Sequence, residues 1–171
     1  MPMNAEQLKT AQAPLKALYR DQPERARLTL TARGRLLADR PAVTIETGHG
    51  RVTAGLHPAT GGDGSDACSG DMLLEALASC AGVTLKAVAT AMGLDIRNGS
   101  VSVEGELDFR GTLGVAKEAP VGFTAIRLRF SLDTDASDEQ LDQLLRLSER
   151  YCVVFQTLRQ PPQLSVERER R

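Results

Sequence analysis

Apolar positions recur along this chain at two spacings, and each change of spacing marks a change of element. Over residues 4–20, Leu8, Ala11, Leu15 and Leu18 fall at the period of one helix face. Asn4 stands ahead of them as a candidate N-cap. Pro14 lies inside the pattern, where it should kink or divide the helix. Residues 27–33, 42–47 and 50–55 instead alternate apolar with polar side chains, as half-buried strands do. His49-Gly50 suits a tight turn between the second and third of these.

A Gly/Ser/Asp-rich stretch, HPATGGDGSDACSG over 57–70, interrupts the pattern. It lacks the GK[ST] ending of a phosphate-binding loop, so it reads as a lead-in to the next helix, capped by Ser69 or Asp71. That helix, 71–92, is apolar nearly all round, with only Asp71, Glu75 and Lys86 charged. Such a helix must be covered on most faces. Its small residues Ala76, Ala78, Ser79, Ala81 and Gly82 admit a closely packed second helix, which points to a second subunit. Gly93 ends it. Two long alternating segments follow, 100–109 and 122–132, joined by a loop too long for a tight hairpin. Ser137 with Gln140 forms a capping-box pattern opening a helix over 138–151, whose core face carries Leu141, Leu144, Leu145 and Leu147. Cys152 closes that helix, and a short strand is expected at 163–166. The order α, three β, α, two β, α, β predicts an α+β protein with antiparallel sheet.

Composition narrows the function classes. With 171 residues, the chain suits one domain plus a small extension. A net charge of −1 gives no electrostatic reason to expect nucleic acid or an anionic membrane as partner. No uninterrupted apolar run approaches the ~20 residues of a membrane span, and no signal-peptide core is seen, so a cytoplasmic location is expected. There, Cys68, Cys80 and Cys152 should be thiols. With no CxxC pair and two histidines, the common zinc spacings are missing, and neither metal nor cofactor is expected. His57-Pro58 reads as loop structure, and Glu75 as an exposed helix flank.

Taken alone, Cys80 and Cys152 sit among apolar residues and fit buried, inert thiols better than reactive ones. The segment GDMLLEALASCAGVTL (70–85), with Cys80 72 positions ahead of the cysteine in SERYCVVFQTL (148–158), changes that. Together with the GGDGS loop and the strand-rich N-terminal part, it resembles the OsmC/Ohr family over residues 25–167. Residues 1–24 then form a helical extension to a domain at 25–171. The resemblance implies an OsmC-like fold, with antiparallel sheet wrapped around two central helices in an intertwined homodimer. It also implies thiol-dependent reduction of organic hydroperoxides: Cys80 would be oxidised to a sulfenic acid and condense with Cys152 to a disulfide, which an external dithiol reduces. An arginine would lower the Cys80 pKa, with Arg35 favoured over Arg33, and a carboxylate, Asp71, would orient it. The chain departs from the family pattern where Val153 replaces a proline after the second cysteine, where Asp71 is shorter than the family's Glu, and in the extra thiol Cys68. Two alternatives stand beside the enzyme. One is a non-catalytic protein of this fold holding a small apolar molecule at the dimer interface. The other is a structural or regulatory dimer whose N-terminal helix docks a partner.

Overall fold

A computed structural model describes residues 3–170. The chain opens with α1 (Ala5–Asp21), started by a capping box in which the Asn4 side chain accepts from the Gln7 N–H and Gln7 reaches back to the Asn4 N–H. Pro14 does not divide it; the helix runs unbroken through the proline. No residue of α1 is buried, so the helix leans on α2 without adding to the core.

Strands β1 (Arg33–Leu36), β2 (Val43–Thr47) and β3 (Gly50–Gly55) form an antiparallel meander. A two-residue strand β4 (Ala67–Cys68) adds to β3 in parallel, so this sheet is not purely antiparallel as expected. The first strand is also displaced: 27–32, despite their alternation, have no regular strand, and Leu28 and Leu30 are 77% and 90% exposed. Alternation encodes a strand only where a neighbour supplies the ladder, and this chain offers none there.

From β4 the chain enters α2 (Ser69–Met92). Neither Ser69 nor Asp71 caps it; the N-cap is Cys68, whose side chain makes no cap bond. Gly93 ends it in the left-handed conformation, φ 69°, with its N–H on the Ala89 and Thr90 carbonyls. One edge of α2, at Leu77, Ala81, Leu85 and Ala89, is buried. By length and mean hydropathy α2 could cross a membrane, which corrects the run-length argument above; here that apolar edge is core.

Strands β5 (Asn98–Glu106) and β6 (Ala125–Asp133) pair antiparallel, separated by the short helix α3 (Phe109–Thr112), and β5 packs on α2. Helix α4 (Asp138–Tyr151) starts at the expected capping box, Ser137 with Gln140. It packs on α2 through Leu144, which is wholly buried against Leu85, Ala89 and Ile96. A further helix, α5 (Val153–Arg159), follows at once. Beyond it 163–166 are extended without pairing, Leu164 and Val166 being 85% and 97% exposed, so the expected last strand is absent from the single chain. Both clusters of buried residues thus form on one side of α2, while Val83 on the same helix is 72% exposed.

Candidate active site

Cys80 sits in the fourth turn of α2, beside buried Leu77 and Ala81. Cys152 comes from the joint between α4 and α5. Its φ and ψ, −76° and 109°, leave the helical region, so one residue is both C-cap of α4 and N-cap of α5. Its N–H bonds the Ser148 carbonyl at 3.0 Å, and its carbonyl accepts from Gln156 at 2.9 Å. The Gln156 side chain also donates to the Glu149 carbonyl at 2.7 Å, bracing the joint. The break turns α5 back onto α2 and brings Cys80, Cys152, Val154 and Phe155 into one cluster with Val103, Ile126 and Leu128 of the β5–β6 sheet.

The two thiols stand in different surroundings. Cys152 is 1% exposed and Cys80 is half-buried, so Cys80 is the one a solute reaches. Burial pushes the Cys80 thiol up, but donors outweigh it: the Val154 N–H, the Cys152 thiol, the Val153 N–H and the Thr84 hydroxyl. The net result is a thiol below the ordinary cysteine value. For Cys152 burial wins. A backbone N–H from Phe155 opposes it, the Cys80 sulfur adds to the rise, and the thiol ends above its ordinary value. Cys80 therefore ionises first, and Cys152 keeps its proton and offers it to the neighbouring sulfur.

Of the residues singled out by sequence, the fold brings Cys80 and Cys152 together and leaves Arg35 and Asp71 apart from them. Arg35 is exposed on β1, beside an open cleft of about 430 Å³ shared with Arg33, Thr44, Glu46 and Arg51. Asp71 is exposed on the first turn of α2. The groups that set the Cys80 pKa are donors from α2 and the α4–α5 joint, with no arginine among them. Cys68 lies half-buried in β4, its sulfur 3.6 Å from where a Cβ on Gly70 would stand. His57 stacks on Phe109 and accepts from the Ala59 N–H, the structural role expected of it.

An ion pair absent from the sequence reading lies at the junction of the N-terminal sheet and α2. Arg40 grips Asp66 through two bonds, 2.7 and 3.1 Å, with the Asp66 side chain 15% exposed. Gly55 makes room for it: a Cβ there would stand 2.7 Å from the carboxylate. The two residues are 26 positions apart on separate loops, and no local pattern links them.

Comparison with known proteins identifies the family. The family model described as OsmC-like protein matches residues 62–167. The chain belongs to the OsmC-like family. Among solved structures, an OsmC-like protein from Mycoplasma pneumoniae superposes with a TM-score of 0.65 at 19% identity, covering 78% of this chain and 89% of that one. An organic hydroperoxide resistance protein OsmC from Legionella pneumophila gives 0.60 at 16% identity, covering 78% and 93%. The organic hydroperoxide resistance protein OhrB of Bacillus subtilis gives 0.53 at 18%, covering 78% and 93%. At these identities the superpositions establish the OsmC-like fold, and no more. A sequence search of curated proteins finds no match.

Proposed function

We propose that this OsmC-like protein reduces organic hydroperoxides with Cys80 as the attacking thiolate and Cys152 as the resolving thiol. The observation that carries it is the asymmetry of the pair: a reachable sulfur held low by four donors, against a buried sulfur held high. The chemistry follows from that division. The Cys80 thiolate gives an electron pair to the distal peroxide oxygen, the O–O bond breaks, and the alkoxide leaves and is protonated to the alcohol. Cys80 is then a sulfenic acid, oxidised by two electrons. Attack by Cys152 expels water and forms the disulfide, and an external dithiol returns both thiols at the cost of its own oxidation. Apolar neighbours such as Val154 and Phe155 favour an alkyl or lipid hydroperoxide over hydrogen peroxide.

The working form in this proposal is a cytosolic homodimer. Its support is the exposed flank of α2 at Val83 and the two unpaired alternating segments, 27–32 and 163–166. A guanidinium at Cys80 then comes from the second copy. Arg40, fixed by its two bonds to Asp66, fits that task better than Arg35, whose side chain has no described ion-pair partner. The deciding experiment follows cumene hydroperoxide consumption with excess dithiothreitol. Cys80→Ser should abolish it. Cys152→Ser should leave the first oxidation intact and trap a sulfenic acid that dimedone labels. A Cys80→Ser protein as active as the wild type sinks the proposal.

A further inference from the structure

Arg40, Arg97, Arg110 and Arg127 each close on a carboxylate within 2.7 Å. The N-terminal sheet leaves its arginines open. In β1, Arg33 and Arg35 stand on one face, and Gly34 between them is turned to the other, where a Cβ would meet Val43 and Ile45. The register sets Arg33 beside Glu46 and Glu46 beside Arg51, so three charged side chains cross the sheet in a row. Arg35 pairs with Thr44 on the same face, one step along. Together these residues line an open cleft of about 430 Å³. Three guanidiniums against one carboxylate leave it two charges positive, in a chain whose net charge is −1. The carboxylate does not tie them down. Glu46 stands 3.9 Å from the Arg51 guanidinium, longer than a hydrogen bond. Neither Arg33 nor Arg35 has an ion-pair partner among the described residues.

From this arrangement we infer that the cationic face of the β1–β2–β3 meander binds a small hydroxylated phosphate monoester. A guanidinium presents a planar fork that pairs with phosphate oxygens two at a time. Alternate positions on one strand lie roughly 7 Å apart, a spacing at which the forks of Arg33 and Arg35 hold one phosphate from either side. A monoester carries close to two negative charges at neutral pH, which matches the excess in the cleft. Thr44 adds a hydroxyl donor beside Arg35. Glu46 repels a bare anion and accepts a hydroxyl, so it selects a ligand whose body carries hydroxyl groups. The cleft falls within the range of small-molecule sites, about 300–1,000 Å³, and leaves room beyond the phosphate for such a body. No apolar side chain lines it, so an acyl chain finds no place there. None of its residues belongs to the Cys80–Cys152 cluster, and the inference stands whether or not the thiols reduce peroxide.

The test is isothermal titration calorimetry of the reduced full-length protein at low ionic strength, with ribose 5-phosphate, inorganic phosphate and ribose as probes. Ribose 5-phosphate should saturate the protein, inorganic phosphate should bind more weakly, and ribose should give no heat of binding. Arg33→Gln and Arg35→Gln should each weaken ribose 5-phosphate about tenfold, as loss of a charge-assisted bond would, with unchanged melting curves in the absence of ligand. Arg150→Gln, an exposed arginine outside the cleft, should leave the affinity as it is. Glu46→Ala removes both the repulsion and the hydroxyl acceptor, so it should tighten inorganic phosphate and bring the two affinities together. A failure of ribose 5-phosphate to saturate below about 10 mM overturns the inference. Wild-type affinity in both Arg33→Gln and Arg35→Gln overturns it as well. The protein is also sedimented with vesicles of phosphatidic acid in phosphatidylcholine. Capture by the vesicles without saturation by ribose 5-phosphate would make this face a membrane contact and reject the soluble ligand.

Discussion

Truncating Leu144 tests whether the core and the thiol pair depend on each other. Leu144 is fully buried where α4 meets α2, against Leu85, Ala89 and Ile96, two turns before Cys152. Leu144→Ala removes three buried carbons, about 2.4 kcal/mol at ~0.8 kcal/mol each. A residual cavity of roughly 40 Å³ at ~24 cal/mol per Å³ adds about 1 kcal/mol. The total, about 3.4 kcal/mol, is a large share of a small protein's stability. Because Cys152 is 1% exposed, a reagent reaches it only when α4 and α5 lift from α2 or the chain unfolds. Either opening should become about 300-fold more frequent for this loss, at 1.4 kcal/mol per decade. Urea unfolding measures the first quantity, and native-state alkylation of the Cys152 peptide measures the second. At fixed protein concentration both should move together. A stability loss under about 1 kcal/mol would show that α4 is not anchored at Leu144. A full loss with Cys152 alkylation unchanged would show that the thiol is shielded by something other than α4 packing.

Two further outcomes bear on the charged periphery. Arg97 grips both Asp133 and Asp135, and hydrogen bonds from Arg97 hold the Asp135 carboxyl below the usual carboxylate range. A depressed carboxylate stabilises the fold above its unfolded-state pKa and loses that contribution as pH falls through its folded value; the melting temperature of Arg97→Gln should therefore lie below wild type at neutral pH and converge with it as the pH falls below the usual carboxylate range, and a gap that widens in acid would reverse the argument. On the reading that Arg40 serves a second copy, Arg40→Ala should raise the KM for cumene hydroperoxide about tenfold, as loss of a charge-assisted bond would, while Arg35→Ala stays within about twofold; steady-state kinetics with the two effects exchanged would return the role to β1.

Elements whose bonding is local were readable from the chain. The N-cap Asn4 and the capping box of Ser137 with Gln140 sit where the residue spacing puts them, because each closes within four residues. The 3.6-residue period located α2 and α4 to within two residues. Errors fall where the deciding partner is distant or absent. Residues 27–32 and 163–166 alternate like strands yet pair with nothing in a single chain. The apolar run Val153-Val154-Phe155 carries strand-forming residues, yet it folds as α5 because Cys152 turns it onto α2. Pro14 stays inside α1, a helix without a buried residue.

The candidate site divides along the same line. Spacing and resemblance found the two cysteines, since their side chains carry the chemistry. What sets them apart is carried mostly by backbone: the amides of Val153, Val154 and Phe155 donate whatever side chains those residues bear. Sequence cannot signal such donors until the fold aims them. A proline at 153 would delete one of them, so the chain's departure from the family pattern at that position need not weaken the thiol. The Val153 amide N–H is among the groups that hold the Cys80 thiol down, and no guanidinium of the described residues is. Arg35 and Asp71 were chosen for charge and position along the chain, whereas the gripped arginine is Arg40, whose partner Asp66 fits only because Gly55 leaves the space.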